Sequence, residues 1–131
     1  MFGNIMVPSD GSEYSDKAVD VAIEIAKKFN SKVTAVYVLD ENTSFSYDTL
    51  EDEGNEILKS ISEKGKKEGV MVIEHLITAD PLRDMKIIAE KTQVDSIVIN
   101  SSGKNKSGDL MMGSIVSRVI ETFDIPIVLV K

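Results

Sequence analysis

The chain has 131 residues and no cysteine, and 22 acidic against 15 basic residues give it a formal charge of −7. That length suits a single domain, 1–131, with a core large enough to stand without disulfides. The absence of cysteine excludes thiol chemistry and Cys-ligated zinc and fits a reducing, cytoplasmic setting. An acidic balance works against non-specific binding to nucleic acid or anionic membranes, and no stretch approaches the roughly 20 apolar residues of a membrane span. Neither partner is expected, and an anionic ligand would have to be held locally.

Ile5, Met6 and Val7 read as a short buried strand that stops at the turn cluster Pro8-Ser9-Asp10-Gly11. Ser12 is placed to cap a first helix with Glu13 in its first turn, and Ala18, Ala22, Ile25, Ala26 and Phe29 recur at helical spacing. Residues 32–38 carry Val33, Ala35, Val36 and Val38, nearly continuous apolar character that suits a strand covered on both faces. Residues 41–49 are polar with isolated aromatics and read as a loop.

Leu50, Gly54, Ile57, Leu58 and Ile61 then mark a second helix, acidic at its start and basic at its end as the helix dipole favours, with Gly69 as its stop. Residues 70–77 form a third strand carrying His75, the single histidine. With no carboxylate pair or second histidine at hand it is read as a packed or edge residue. Asp80 and Pro81 predict the cap and first position of a third helix running through Leu82, Met85, Ile88 and Ala89.

Residues 95–99 form a fourth strand whose run Ile97-Val98-Ile99 stops in a stretch of Asn, Ser, Gly and Lys. Helical spacing resumes after Gly113-Ser114, with Val116, Val119, Ile120 and Phe123 predicted inward, and Pro126 separates this helix from a fifth strand, 127–130. A β-α repeat of this kind needs right-handed crossovers, hence an α/β fold with a parallel sheet and helices on both faces.

The strand-loop-helix unit around residues 97–116 is the part most suited to hold an anion. The first N–H groups of a helix lack internal partners and carry partial positive charge. Gly113 lets phosphate approach the backbone, Ser114 offers a hydroxyl at the N-cap, and Lys104 and Lys106 supply cations. Gly103 and Gly108 have the glycine spacing of a Walker A loop, but Asp109 and Leu110 stand where its Lys and Ser/Thr are needed, which removes that reading. Taken alone, the glycines also fit plain turn and cap chemistry.

The order Asn100-2x-Gly103-9x-Gly113-Ser114 resembles the nucleotide loop of the universal stress proteins, Gly-2x-Gly-9x-Gly-(Ser/Thr), with asparagine at the first glycine. The resemblance extends over the whole chain, through the Pro8/Asp10 turn, Val38, the five strands and the Pro-Ile-Val-Leu-Val ending. It implies strand order 3-2-1-4-5, a Rossmann-like, adenine nucleotide alpha hydrolase-like fold, with nucleotide at the switch between strands one and four. It further implies ATP, with Mg or Mn as counter-ion. Adenosine would lie against Pro8, Ser9, Asp10, Val38 and Asn100, and the phosphates on the backbone of Gly103, Gly113, Ser114 and Ile115 near Lys104. Asn tolerates left-handed backbone better than most residues, so the loop shape survives while its side chain occupies space beside the ligand.

The resemblance implies an ATP-binding sensor or switch, a homodimer through strand five, and a protein partner whose identity is open. No Ser-His-acid set is recognisable, and no catalytic residue is assigned. Slow ATP hydrolysis would need only a bound metal, with Asp10 the nearest candidate carboxylate. Two other readings compete. One is a nucleotide-free scaffold of the same fold, acting through dimerisation and partner contacts. The other is a phosphoacceptor receiver domain built on Asp10, Asp80 and Lys131, in which Ser9 stands where a second acid is required.

Overall fold

The computed structural model describes residues 2–43, 46–102 and 112–131. Along them the chain alternates strands and helices: β1 (Asn4–Pro8), α1 (Glu13–Phe29), β2 (Lys32–Asp40), α2 (Tyr47–Lys67), β3 (Val72–Ala79), α3 (Met85–Lys91), β4 (Ser96–Asn100), α4 (Met112–Thr122) and β5 (Ile127–Val130). The strands form one sheet in the order β3-β2-β1-β4-β5 with every neighbouring pair parallel, as the alternation and the resemblance predict.

Side-chain alternation along the strands divides the interior in two. Ile5, Val7, Val33 and Val98 face α1 and α2, where Ala18, Ala22, Leu58 and Ile61 close over them. Met6, Val36, Ile97 and Ile99 face α3 and α4 and meet Met85, Ile88, Val116 and Val119. Strands β1 and β4 are buried along their whole length, which accounts for the apolar runs Ile5–Val7 and Ile97–Ile99 at their centres. Helix α2 comes close to the sheet at Gly54, where a Cβ would lie 2.6 Å from both Leu76 Cδ1 and Tyr37 Cδ1.

Several local expectations are corrected. Helix α2 begins at Tyr47, inside the stretch read as loop, and the Tyr47 hydroxyl donates to Thr78 Oγ1 at 2.5 Å. That is a tertiary bond which sequence periodicity does not report. The third helix begins at Met85, not at Pro81. Asp80 does cap as its type suggests, its Oδ1 accepting the Leu82 and Arg83 N–H groups at 2.9 and 3.1 Å, but the turn it caps is separated from α3 by Asp84 at φ −106°, ψ −1°. Phe29, Leu82 and Ile120, placed inward by spacing, are exposed, Phe29 resting instead on the Phe2 ring 5.4 Å away.

Candidate functional site

Strands β1 and β4 lie side by side at the centre of the sheet, and from them the chain leaves toward opposite faces, β1 into α1 and β4 toward α4. In a parallel α/β sheet this is the switch point, where a crevice opens at the carboxyl ends of the strands. Pro8 and Ser9 are buried at the end of β1 and Asp10 is exposed just beyond it.

The turn between β1 and α1 is held by side chains. Ser9 Oγ accepts the Gly11 N–H at 3.2 Å and lies 3.1 Å from Ser15 Oγ. Asp10 Oδ1 accepts the Ser12 N–H at 2.9 Å and the Ser15 hydroxyl at 3.0 Å, while Ser12 Oγ caps α1 by accepting the Ser15 N–H at 3.2 Å. Gly11 has φ 82°, in the left-handed region, and a Cβ there would sit 2.6 Å from Ile57 Cδ1 of α2, so both backbone and packing call for glycine. Sequence reasoning passed over Ser15. Its available signal was its place at the third helical position behind a serine cap, where a hydroxyl reaches back to the turn.

Val38, on β2, is half-buried against the α3/α4 core. Pro8 pairs with Val36, and the same register carried on two residues sets Val38 level with Asp10. On β4, Ile97 pairs with Met6, a register that carried on three residues sets Asn100 level with Ser9. Asn100 is 1% exposed, its Oδ1 accepts the Ser102 N–H at 2.8 Å, and its Nδ2 is buried with no hydrogen-bond partner. Gly103 and Lys104 lie outside the described residues.

Helix α4 begins at Met112, so Ser114 is not its N-cap but, with Gly113, part of its first turn. N–H groups there have no carbonyl four residues back within the helix, which preserves the anion-holding property expected of Gly113 and Ser114; Ile115 follows them. Among the described residues no heavy atom lies within 4 Å of the position a Cβ would take at Gly113, and its φ is not left-handed.

The neighbouring strand ends carry a charged cluster. Arg83 bonds Asp84 at 2.8 Å and Glu41 at 2.9 Å, tying the end of β2 to the turn after β3. The Arg83 side chain, with help from the Asp80 N–H, holds the Asp84 carboxyl down at about 2. Among the described residues no three His, Asp or Glu side chains gather as a metal site, and the receiver reading's Asp80 has its Oδ1 committed to the backbone.

A profile of the Universal stress protein family matches residues 1–131. Universal stress protein MJ0531 of Methanocaldococcus jannaschii is 30% identical over 141 residues, covering 100% of this chain and 83% of the relative. A universal stress protein from Archaeoglobus fulgidus superposes with TM-score 0.81 at 25% identity over 100% of both chains. A structure of the universal stress protein from Archaeoglobus fulgidus in complex with dAMP does so with TM-score 0.79 at 24% identity, again over 100% of both. The chain belongs to the universal stress protein family.

Proposed function

We propose that the chain binds an adenine nucleotide, ATP foremost, across the carboxyl ends of β1 and β4, and works as a switch whose bound state a protein partner reads. The observation that carries this is Gly113. Its φ is not left-handed and no described neighbour crowds the position of a Cβ, so among the described residues nothing stands in the way of a phosphate approaching the backbone at the start of α4. The adenosine rests on Pro8, Ser9, Asp10, Val38 and Asn100. The phosphates meet the backbone at Gly113, Ser114 and Ile115, with Gly103 and Lys104 assigned by the loop spacing and Mg or Mn as counter-ion. The dAMP complex of the Archaeoglobus fulgidus protein supports an adenine nucleotide as the ligand class. No side chain is assigned to hydrolysis.

The switch works as a homodimer through β5 in this reading. β5 is an edge strand of apolar residues and exposes Leu129, a surface suited to pair antiparallel with a second copy. The nucleotide reading is tested by denaturing freshly purified protein and identifying what is released. An adenine nucleotide is expected. Protein that releases none, and whose melting temperature ATP with magnesium does not move, overturns the reading in favour of a nucleotide-free scaffold.

A further inference from the structure

We infer that the α3 side of strand β3 is a docking surface for an acidic amphipathic helix of a partner protein, laid beside α3 over β2 and β3. The inference stands apart from the nucleotide reading, since this surface runs toward the amino ends of the strands, away from Asp10 and Gly113.

The two faces of β3, an edge strand, are covered differently. On the α2 side Val72 and Leu76 pack into the core beneath α1 and α2, and the Ser62 hydroxyl of α2 donates to Glu74. On the other side the register sets Ile73, His75 and Ile77 beside Thr34, Val36 and Val38. Ile77 packs against the core beneath α3 and α4, but Ile73 joins neither core. Met71, whose carbonyl accepts the Val33 N–H just before the strand begins, is 67% exposed. Cover on this face therefore runs out toward the amino end of β3.

The course of α3 explains the gap. Its C-terminal end is pinned over β1, where Asn4 Nδ2 donates to the carbonyls of Thr92 and Gln93 at 3.2 and 3.3 Å. β2 separates β1 from β3, so the line of β3 lies two strand spacings, about 10 Å, to one side. That is the distance between the axes of two packed helices, and it leaves a lane one helix wide. Lys86, Ala89 and Glu90 border a hollow with Phe123 and Asp124 of α4, which puts Ile87 and Lys91 on the flank of α3 turned to the lane. Ile87 is 48% exposed. A single exposed apolar side chain is ordinary, whereas Met71, Ile73, Ile77 and Ile87 gathered along one lane mark an interaction surface.

Charge selects the occupant. Lys32, level with Met71 when the β2/β3 register is carried back one residue, and Lys91 are both exposed, and neither forms an ion pair among the described residues. The carboxylates closest in sequence turn elsewhere, Glu74 to Ser62 and Glu90 to the α4 side. The lane is thus apolar with a basic end, on a chain whose formal charge is −7. An anionic membrane would meet that acidic whole, while a helix meets only the lane, its apolar stripe on β3 and Ile87 and its carboxylates near Lys32 and Lys91.

The test uses a synthetic peptide of about 18 residues, long enough to form a helix, with Leu at i, i+3, i+4 and i+7 spacing and Glu on its other faces. A second peptide carries Lys in place of every Glu. Titrated into the isotope-labelled native chain, the acidic peptide should move the amide NMR signals of residues 71–77 and 87–91. It should bind at least tenfold more tightly than the basic one, by a margin that narrows as salt is raised. Met71→Glu with Ile87→Glu should weaken it about tenfold with an unchanged circular dichroism spectrum, and Lys32→Glu with Lys91→Glu should weaken it several-fold. No binding, equal or tighter binding of the basic peptide, shifts confined to other elements, or full affinity in both double variants overturns the assignment. Self-association of the native chain that Met71→Glu with Ile87→Glu abolishes gives the lane to a second copy and overturns it as well.

Discussion

The hydroxyl of Ser15, in the first turn of α1, donates to Oδ1 of Asp10 at 3.0 Å, so a helix residue that is almost wholly buried sets the position of an exposed carboxylate just past the end of β1. The same oxygen of Asp10 accepts the Ser12 N–H, and Ser15 lies 3.1 Å from Ser9, so strand end, turn and helix start form one network. Removal of the hydroxyl in Ser15→Ala should destabilise the fold by about 1 kcal/mol, the ordinary net value of such a bond. It should also weaken ATP binding several-fold by loosening Asp10. Chemical denaturation and calorimetry on the one variant measure both, and unchanged affinity would show that Asp10 does not need this support.

Gly113→Val separates ligand from fold. A Cβ at this position meets no described atom, and valine is a better helix former than glycine by a few tenths of a kcal/mol, so the melting temperature should hold or rise slightly. Nucleotide affinity should fall more than tenfold, because a branched side chain then stands where phosphate approaches. A variant that melts much lower, or that binds ATP as the native chain does, contradicts the part given to this glycine.

Leu129 is the residue through which to test the β5 edge. It is 45% exposed, whereas Val128 and Val130 on the same strand pack against the α1 side of the core, so charge at those two would damage the fold as well as any interface. Light scattering at micromolar concentration should give a dimer for the native chain and a monomer for Leu129→Lys, with both forms equally folded by circular dichroism. A monomeric native chain removes the dimer from the account.

Asp84 should show an acid-shifted titration. Its carboxyl is held at about 2 by Arg83 first and the Asp80 N–H second, below the value of about 3.9 for an unfolded chain. A lowered native value means that the unfolded state binds the proton first as pH falls. The stabilisation from this carboxylate is therefore complete above about pH 4 and is lost as pH descends toward 2. NMR titration of the Asp84 carboxyl should give a midpoint near 2 in the native chain, moving toward the ordinary range in Arg83→Ala. A midpoint near 4 in the native chain would mean that the Arg83 contact does not persist in solution.

The parts of this fold that could be read from residues alone are those where local chemistry and tertiary structure agree. Ser12 capping α1, the covered run of β2 from Val33 to Tyr37 and Pro126 before β5 are cases of that kind. The start of α3 was misread because Asp80-Pro81 is a genuine capping signal that the chain spends on a single turn, while Asp84 breaks the path into the helix. Tyr47 enters α2 through its bond to Thr78, a residue 31 positions away, and no periodicity carries that information. At the site, Gly113 and Asp10 could be singled out by type and spacing. The orphaned Nδ2 of Asn100 could not, since it depends on how the amide is turned and what lies around it.

Titration of the native chain with ATP in the presence of magnesium tests the central claim most directly. Binding at one site per chain, lost in Gly113→Val and weakened in Ser15→Ala, is the result expected of a nucleotide held between the β1 turn and the first turn of α4. No heat at millimolar ATP, with either magnesium or manganese, would contradict it.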